Sequence, residues 1–142
     1  METAGWGHTS NGAAPHRLSV LNTMQLQLLK AKLHRVEVTS SDLYYEGSMA
    51  IDQECLDMVG ILPYEKILIV NNNNGNRIET YAIPAPAGSR VFCLNGAAAR
   101  SGMAGDIVTI MNFGFYSPEE ARNHHPQVAL FANHNQDIKM KE

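Results

Sequence analysis

A chain of 142 residues is one domain's worth, long enough to bury a core without disulfides or metal to staple it. Its 44% hydrophobic and 18% charged residues and formal charge of −3 are those of an ordinary globular protein, and they exclude a disordered chain or one that coats nucleic acid. No uninterrupted apolar run approaches the roughly 18 residues a membrane span requires, so no membrane partner is expected.

Residues 1–23 are rich in Gly, Ser, Thr, Asn and His and carry too little apolar surface to repay their ordering. They read as a disordered extension or an alternative-start segment, with Met24 opening the domain proper. Residues 32–38 form the first strand pattern, whose even positions, Lys32, His34, Val36 and Val38, share one face. On spacing, the two valines face the core and Lys32 and His34 continue their row towards solvent. Thr39 to Asp42 reads as a turn. Gly47-Ser48 is ordinary turn chemistry, no different locally from Gly88-Ser89, and a short strand follows at residues 49–51.

Asp52 caps a short helix over residues 53–59, and Gly60 suits the position just past its end. Residues 66–70 and 77–83 are paired strands, joined through Asn74-Gly75, a strong hairpin signal. Arg77, Glu79 and Tyr81 share one face of the second, a pattern that an edge of cross-strand polar pairs also explains. After a Pro84–Ser89 loop, residues 90–94 form a strand ending in Asn95-Gly96-Ala97-Ala98-Ala99. These small residues either present amides to an anion or start a helix capped by Asn95, and the two readings are compatible. Residues 107–111 are a strand, Ser117-Pro118-Glu119-Glu120 is a capping box, and Pro126 ends that helix. Residues 127–132 are the last strand, and the polar segment 133–142 reads as a frayed, flexible tail.

Cys55 and Cys93 stand in apolar contexts without metal or redox spacing and read as small core residues in a reducing compartment. His124 and His125 are adjacent and point to different faces, so no metal is expected. There is no P-loop, Rossmann fingerprint or internal repeat. The pattern is a mainly β domain over residues 24–132, with six or seven short strands and two or three short helices closing into a small barrel.

Four separated pieces call for a common explanation: Lys32-x-His34, Tyr45-Glu46-Gly47-Ser48, Arg77-x-x-Thr80-Tyr81 and Asn95-Gly96-Ala97-Ala98. In this order they resemble the pyruvoyl-dependent aspartate 1-decarboxylases, from about residue 24 to about residue 131. The resemblance implies a proenzyme that cuts itself between Gly47 and Ser48. The Ser48 hydroxyl would attack the Gly47 carbonyl, and the resulting ester would eliminate to a dehydroalanine that hydrolyses to a covalent pyruvoyl group. A Cβ at Gly47 would crowd that attack. Thr80 is implied in stabilising the oxyanion of cleavage, worth roughly 3–4 kcal/mol for such a donor.

The pyruvoyl group, with no metal and no pyridoxal phosphate, would form a Schiff base with L-aspartate and take up the electrons released with CO2, giving β-alanine for pantothenate and coenzyme A synthesis. Arg77 would bind a substrate carboxylate; Lys32, His34 and Tyr45 would line the same pocket. Tyr81 would donate the proton, and Asn95, Gly96, Ala97 and Ala98 would supply polar contacts. Also implied are a double-psi β-barrel, a homotetramer with sites at subunit boundaries, and a cytoplasmic location; the need for a maturation helper protein is left open. One point resists simple geometry: Thr80 and Tyr81, as neighbours in a strand, face opposite ways, so a bulge, a strong twist or a site shared between subunits is required. From the residues alone, two other readings stay open. One is a non-catalytic barrel binding an anion through Arg77, Lys32 and His34. The other is a serine hydrolase pairing Ser48 with His34, which lacks a nucleophile elbow and an orienting carboxylate.

Overall fold

The computed structural model of the protein describes residues 23–142. The extension expected at residues 1–23 thus lies almost wholly outside the described residues. In chain order the strands are β1 (Leu26–Glu37), β2 (Ser40–Asp42), β3 (Ser48–Asp52), β4 (Lys66–Asn71), β5 (Arg77–Ala85), β6 (Phe92–Asn95), β7 (Ile107–Tyr116), β8 (Gln127–Ala132) and β9 (Asp137–Met140). Helix α1 spans Gln53–Val59 and α2 Pro118–Arg122, with a 3-10 turn at Gly96–Arg100 after β6. The strands hydrogen-bond in the order β2-β6-β3-β5-β4-β7-β1-β8-β9, leaving β2 and β9 at the two ends. The protein is therefore mainly β, as the pattern predicts, but its nine described strands form an open ladder rather than a closed ring of six or seven.

Two of the added strands were hidden for opposite reasons. Ser40–Asp42 has turn composition, yet it pairs in parallel with β6, Ser40 opposite Cys93 and Asp42 opposite Asn95. The supposed tail folds back as β9, with Phe131 opposite Ile138. Its turn rests on three consecutive left-handed residues, Asn133, His134 and Asn135, a conformation polar asparagine tolerates. Asn135 locks the turn to β1, accepting from the Glu37 N–H at 2.7 Å and donating to the Glu37 carbonyl at 2.8 Å.

The first strand corrects the expected alternation. Ala31 and Leu33 are buried before Arg35, and Val36 and Val38 after it. The odd row becomes the even row because β1 carries an extra residue between Leu33, opposite Ile110, and Val36, opposite Val108. Arg35 sits in that bulge at φ 62. Lys32 and His34 therefore do not continue the valine row; they lie on the face opposite Leu33, half-buried.

Helix α1 forms as its sequence dictates. Asp52 accepts from the Glu54 N–H at 2.9 Å, and Gly60 ends the helix at φ 73. Its buried residues, Cys55, Leu56 and Val59, join one core with Leu33, Val36, Met49, Ile51, Phe92, Leu94, Ile110 and Phe131. Phe92 and Phe131 meet edge to face at 5.6 Å between centroids. Burial pushes the Cys55 thiol up to about 12, which makes it a packing residue and not a nucleophile.

Candidate active site

The two Gly-Ser pairs, alike in sequence, differ in structure. Gly88 has φ 81 and donates its N–H to the Asp52 carboxylate at 2.9 Å, while Ser89 is exposed. That loop is scaffolding: Asp52, fully buried, also accepts from the Arg90 backbone N–H at 2.7 Å and from its guanidinium at 2.9 Å. Burial alone would raise the Asp52 carboxyl, but these donors together hold it below the ordinary carboxylate value. By contrast, Gly47 is exposed at the end of a loop and Ser48 is 1% exposed, the first residue of a central strand.

Around Ser48 the neighbours are close and few. Ser48 pairs with Asn95 across the antiparallel β3/β6 ladder, which puts both side chains on one face. Asn95 Nδ2 donates to Ser48 Oγ at 3.2 Å, and the Ser48 hydroxyl is directed at the Glu46 carbonyl at 3.4 Å. Asn95 occupies the cap position of the 3-10 turn, but its side chain makes no capping bond. The expected helix start is present; the side chain is reserved for Ser48.

Gly96, at φ 64, lies directly against the loop before Ser48. A Cβ there would stand 2.8 Å from the Gly47 backbone nitrogen and Cα and 2.9 Å from the Tyr45 carbonyl oxygen. Gly47 itself has open space where a Cβ would be, with nothing within 4 Å, and is not among the glycines at positive φ. The steric demand for glycine at the Gly47-Ser48 peptide thus falls on Gly96, and the expected crowding at Gly47 is not found. Of the residues that follow, Ala98 is buried and Ala97 exposed.

The parallel β3/β5 register sets Met49 opposite Ala82. One step back along both strands, Ser48 is level with Tyr81 and on its face, with Thr80 on the other. The β4/β5 register runs unbroken from Lys66 opposite Tyr81 to Val70 opposite Arg77, so no bulge there turns Thr80 towards Ser48. Tyr81 is half-exposed with the Tyr64 ring 6.4 Å away, a neighbour no sequence signal announced. Arg77 stands at the far end of β5, four residues from Tyr81.

Lys32 and His34 sit on β1, with β5, β4 and β7 intervening between that strand and β3. Among the described residues no hydrogen bond or ion pair joins Lys32, His34, Arg77, Thr80 or Tyr81 to Ser48. The chain thus gathers Ser48, Gly47, the Tyr45 backbone, Asn95 and Gly96, sets Tyr81 on the neighbouring strand β5, and leaves Lys32 and His34 on β1. A hydrolase pair of Ser48 with His34 has no support in this arrangement. His34 is held below its ordinary value by burial and by the charges of Lys32, Arg35 and Lys141, and its buried Nδ1 has no partner among the described residues. No cluster of metal-ligating side chains occurs among the described residues.

Fold and site together define a mainly β protein with a buried serine, oriented by a carboxamide, immediately after an exposed glycyl peptide. The chain belongs to the aspartate decarboxylase family, whose model matches residues 24–138. It is 54% identical over 115 residues to the aspartate 1-decarboxylase of Salinibacter ruber, covering 81% of this chain and 78% of that one. With the aspartate 1-decarboxylase of Chlorobium chlorochromatii it shares 54% identity over 112 residues, 79% and 87% of the two chains. The aspartate 1-decarboxylase of Bacillus licheniformis is 51% identical over 117 residues, 82% of this chain and 92% of its own.

Proposed function

We propose that this protein is a self-processing aspartate 1-decarboxylase, converting L-aspartate to β-alanine and CO2 with a pyruvoyl group made from its own Ser48. The observation that carries the reading is the buried Ser48 hydroxyl, held by Asn95 behind an exposed Gly47 peptide that Gly96 packs against. In maturation, Ser48 Oγ attacks the Gly47 carbonyl carbon; the C–O bond forms, the C–N bond breaks, and the peptide becomes an ester. Loss of the Ser48 Cα proton expels the Gly47 carboxylate and leaves a dehydroalanine, whose imine tautomer takes up water and releases ammonia. Thr80 is assigned to the oxyanion of the first step, reached through twist or by a neighbouring copy.

The residues present fit such a group, because Ser48 is buried with Asn95 as its polar side-chain partner, and Tyr81 precedes Ala82, which the register sets opposite Met49 on the neighbouring strand. Such a group, formed at residue 48, would supply an electrophilic carbonyl for the substrate amine and an electron sink for decarboxylation. Tyr81 returns a proton to the substrate carbon, and Arg77, with its planar fork, holds a carboxylate. Asn95 and the Gly96, Ala97 and Ala98 amides contribute polar contacts. Lys32, His34 and Tyr45 complete the pocket. Since Lys32 and His34 stand on a strand remote from β3, the reading includes a homotetramer whose sites are shared between copies. Parallel pairing of β1 with β8, β2 with β6 and β3 with β5 amid antiparallel neighbours supports the crossovers of a double-psi barrel. The family resemblance is what supports a cytoplasmic enzyme supplying β-alanine for pantothenate synthesis; separately, among the described residues no helix is long and apolar enough to cross a membrane. A helper protein for maturation is compatible with this scheme.

Intact mass of the purified chain tests the proposal. Two fragments divided at Gly47/Ser48 are expected, the C-terminal one modified by a hydrazine, with release of β-alanine from aspartate; Ser48→Ala should stay whole and inactive. Wild-type protein that remains a single chain yet makes β-alanine would overturn it.

A further inference from the structure

Asn95 Nδ2 faces Ser48 Oγ, and a carboxamide has two ends of almost the same shape. Turned over, Oδ1 would accept the serine proton and draw the hydroxyl away from Glu46. Something must therefore set which end faces Ser48. Asn95 is 4% exposed and makes no capping bond, so neither solvent nor the 3-10 turn orients it. One group does: the Cys93 thiol lies 3.2 Å from Asn95 Oδ1 and donates to it, the one hydrogen bond that oxygen receives among the described residues. Cys93 and Asn95 are two apart in β6 and so share a face. Sulfur is a poor acceptor, so a thiol gains from meeting the carbonyl end and little from meeting the NH2 end.

We propose that Cys93 is a positioning residue for self-cleavage: its S–H selects the Asn95 orientation that leaves Nδ2 on Ser48 Oγ. The inference rests on the self-processing reading above. The relay runs Cys93 S–H to Asn95 Oδ1, Asn95 N–H to Ser48 Oγ, Ser48 O–H to the Glu46 carbonyl, with each group a donor to the next. Cys93 touches no reacting atom.

The time course of cleavage, followed by intact mass on freshly purified chain, tests it with two variants. Cys93→Val fills the space with carbon, adding a second γ branch, and loses the donor; Cys93→Ser is smaller but keeps an O–H. Loss of one such bond corresponds to about five- to tenfold slower cleavage in the valine variant, and the serine variant should recover most of the rate. A packing role predicts the reverse order, since valine fills the space and serine does not. Thermal melting of each variant in a Ser48→Ala background reports folding independently of cutting. Valine cut as fast as wild type, or serine cut more slowly than valine, would overturn the inference while leaving self-processing intact. Wild type that is never cut would remove the underlying reading instead.

Discussion

At the residue scale, two adjacent glycyl positions make opposite demands. Gly96→Ala would combine a left-handed φ with a methyl group driven into the Gly47 backbone. Strain of this kind is worth roughly 1–3 kcal/mol, so slowed cleavage and a lowered melting temperature are expected together. Gly47→Ala meets no atom and should be cut at close to the wild-type rate; mass spectrometry over time compares the two. Ser48 and Asn95 were legible because they fall within motifs whose order is specific. The packing of Gly96 against Gly47 was not, since it depends on a contact between residues 49 apart in sequence. Cys93 left a signal that went unused: its spacing of two from Asn95 already placed the thiol on the same face.

Among the elements, those specified by neighbouring residues were readable. Helix α2 forms with Ser117 accepting from the Glu120 N–H at 3.1 Å and Glu120 accepting from the Ser117 N–H at 3.0 Å, as its capping box dictates. The β4/β5 hairpin follows Asn74-Gly75, with Gly75 at φ 78. Strand β1 was misread in phase because its bulge at Arg35 answers to β7, a partner distant in sequence. At the junction of β3 and α1, Asp52 ties helix, loop and Arg90 together, with Glu54 as a second, longer partner of Arg90 at 3.5 Å. Its folded-state value lies below the ordinary 3.8, so its stabilisation is complete above that pH and is lost as pH falls through the folded value. Asp52→Ala should cost about 3 kcal/mol at neutral pH by urea unfolding, and Asp52→Asn should flatten that part of the loss below about pH 4.

For the whole molecule, the separation of Lys32 and His34 from Ser48 is a property of strand order, and sequence spacing could not reveal it. Sites completed by a second copy should show complementation. Lys32→Ala and Ser48→Ala chains, each inactive alone, should regain activity when co-expressed, with about a quarter of the sites intact by random mixing; β-alanine release measures it, and no recovery would place every site within one chain. The position of Gly47/Ser48 at the start of β3 has one more consequence. The proposed cut there would divide the 142 residues into pieces of 47 and 95 (142 − 47), and the shorter piece would hold β1, laid between β7 and β8 of the longer, and β2 beside β6. On the proposed cleavage, one molecule would become two that no covalent bond joins, so its folding would be a journey made in one direction. Assembly as a connected chain is unimolecular, whereas reassembly after denaturation is a search between two solutes, made at the mercy of concentration.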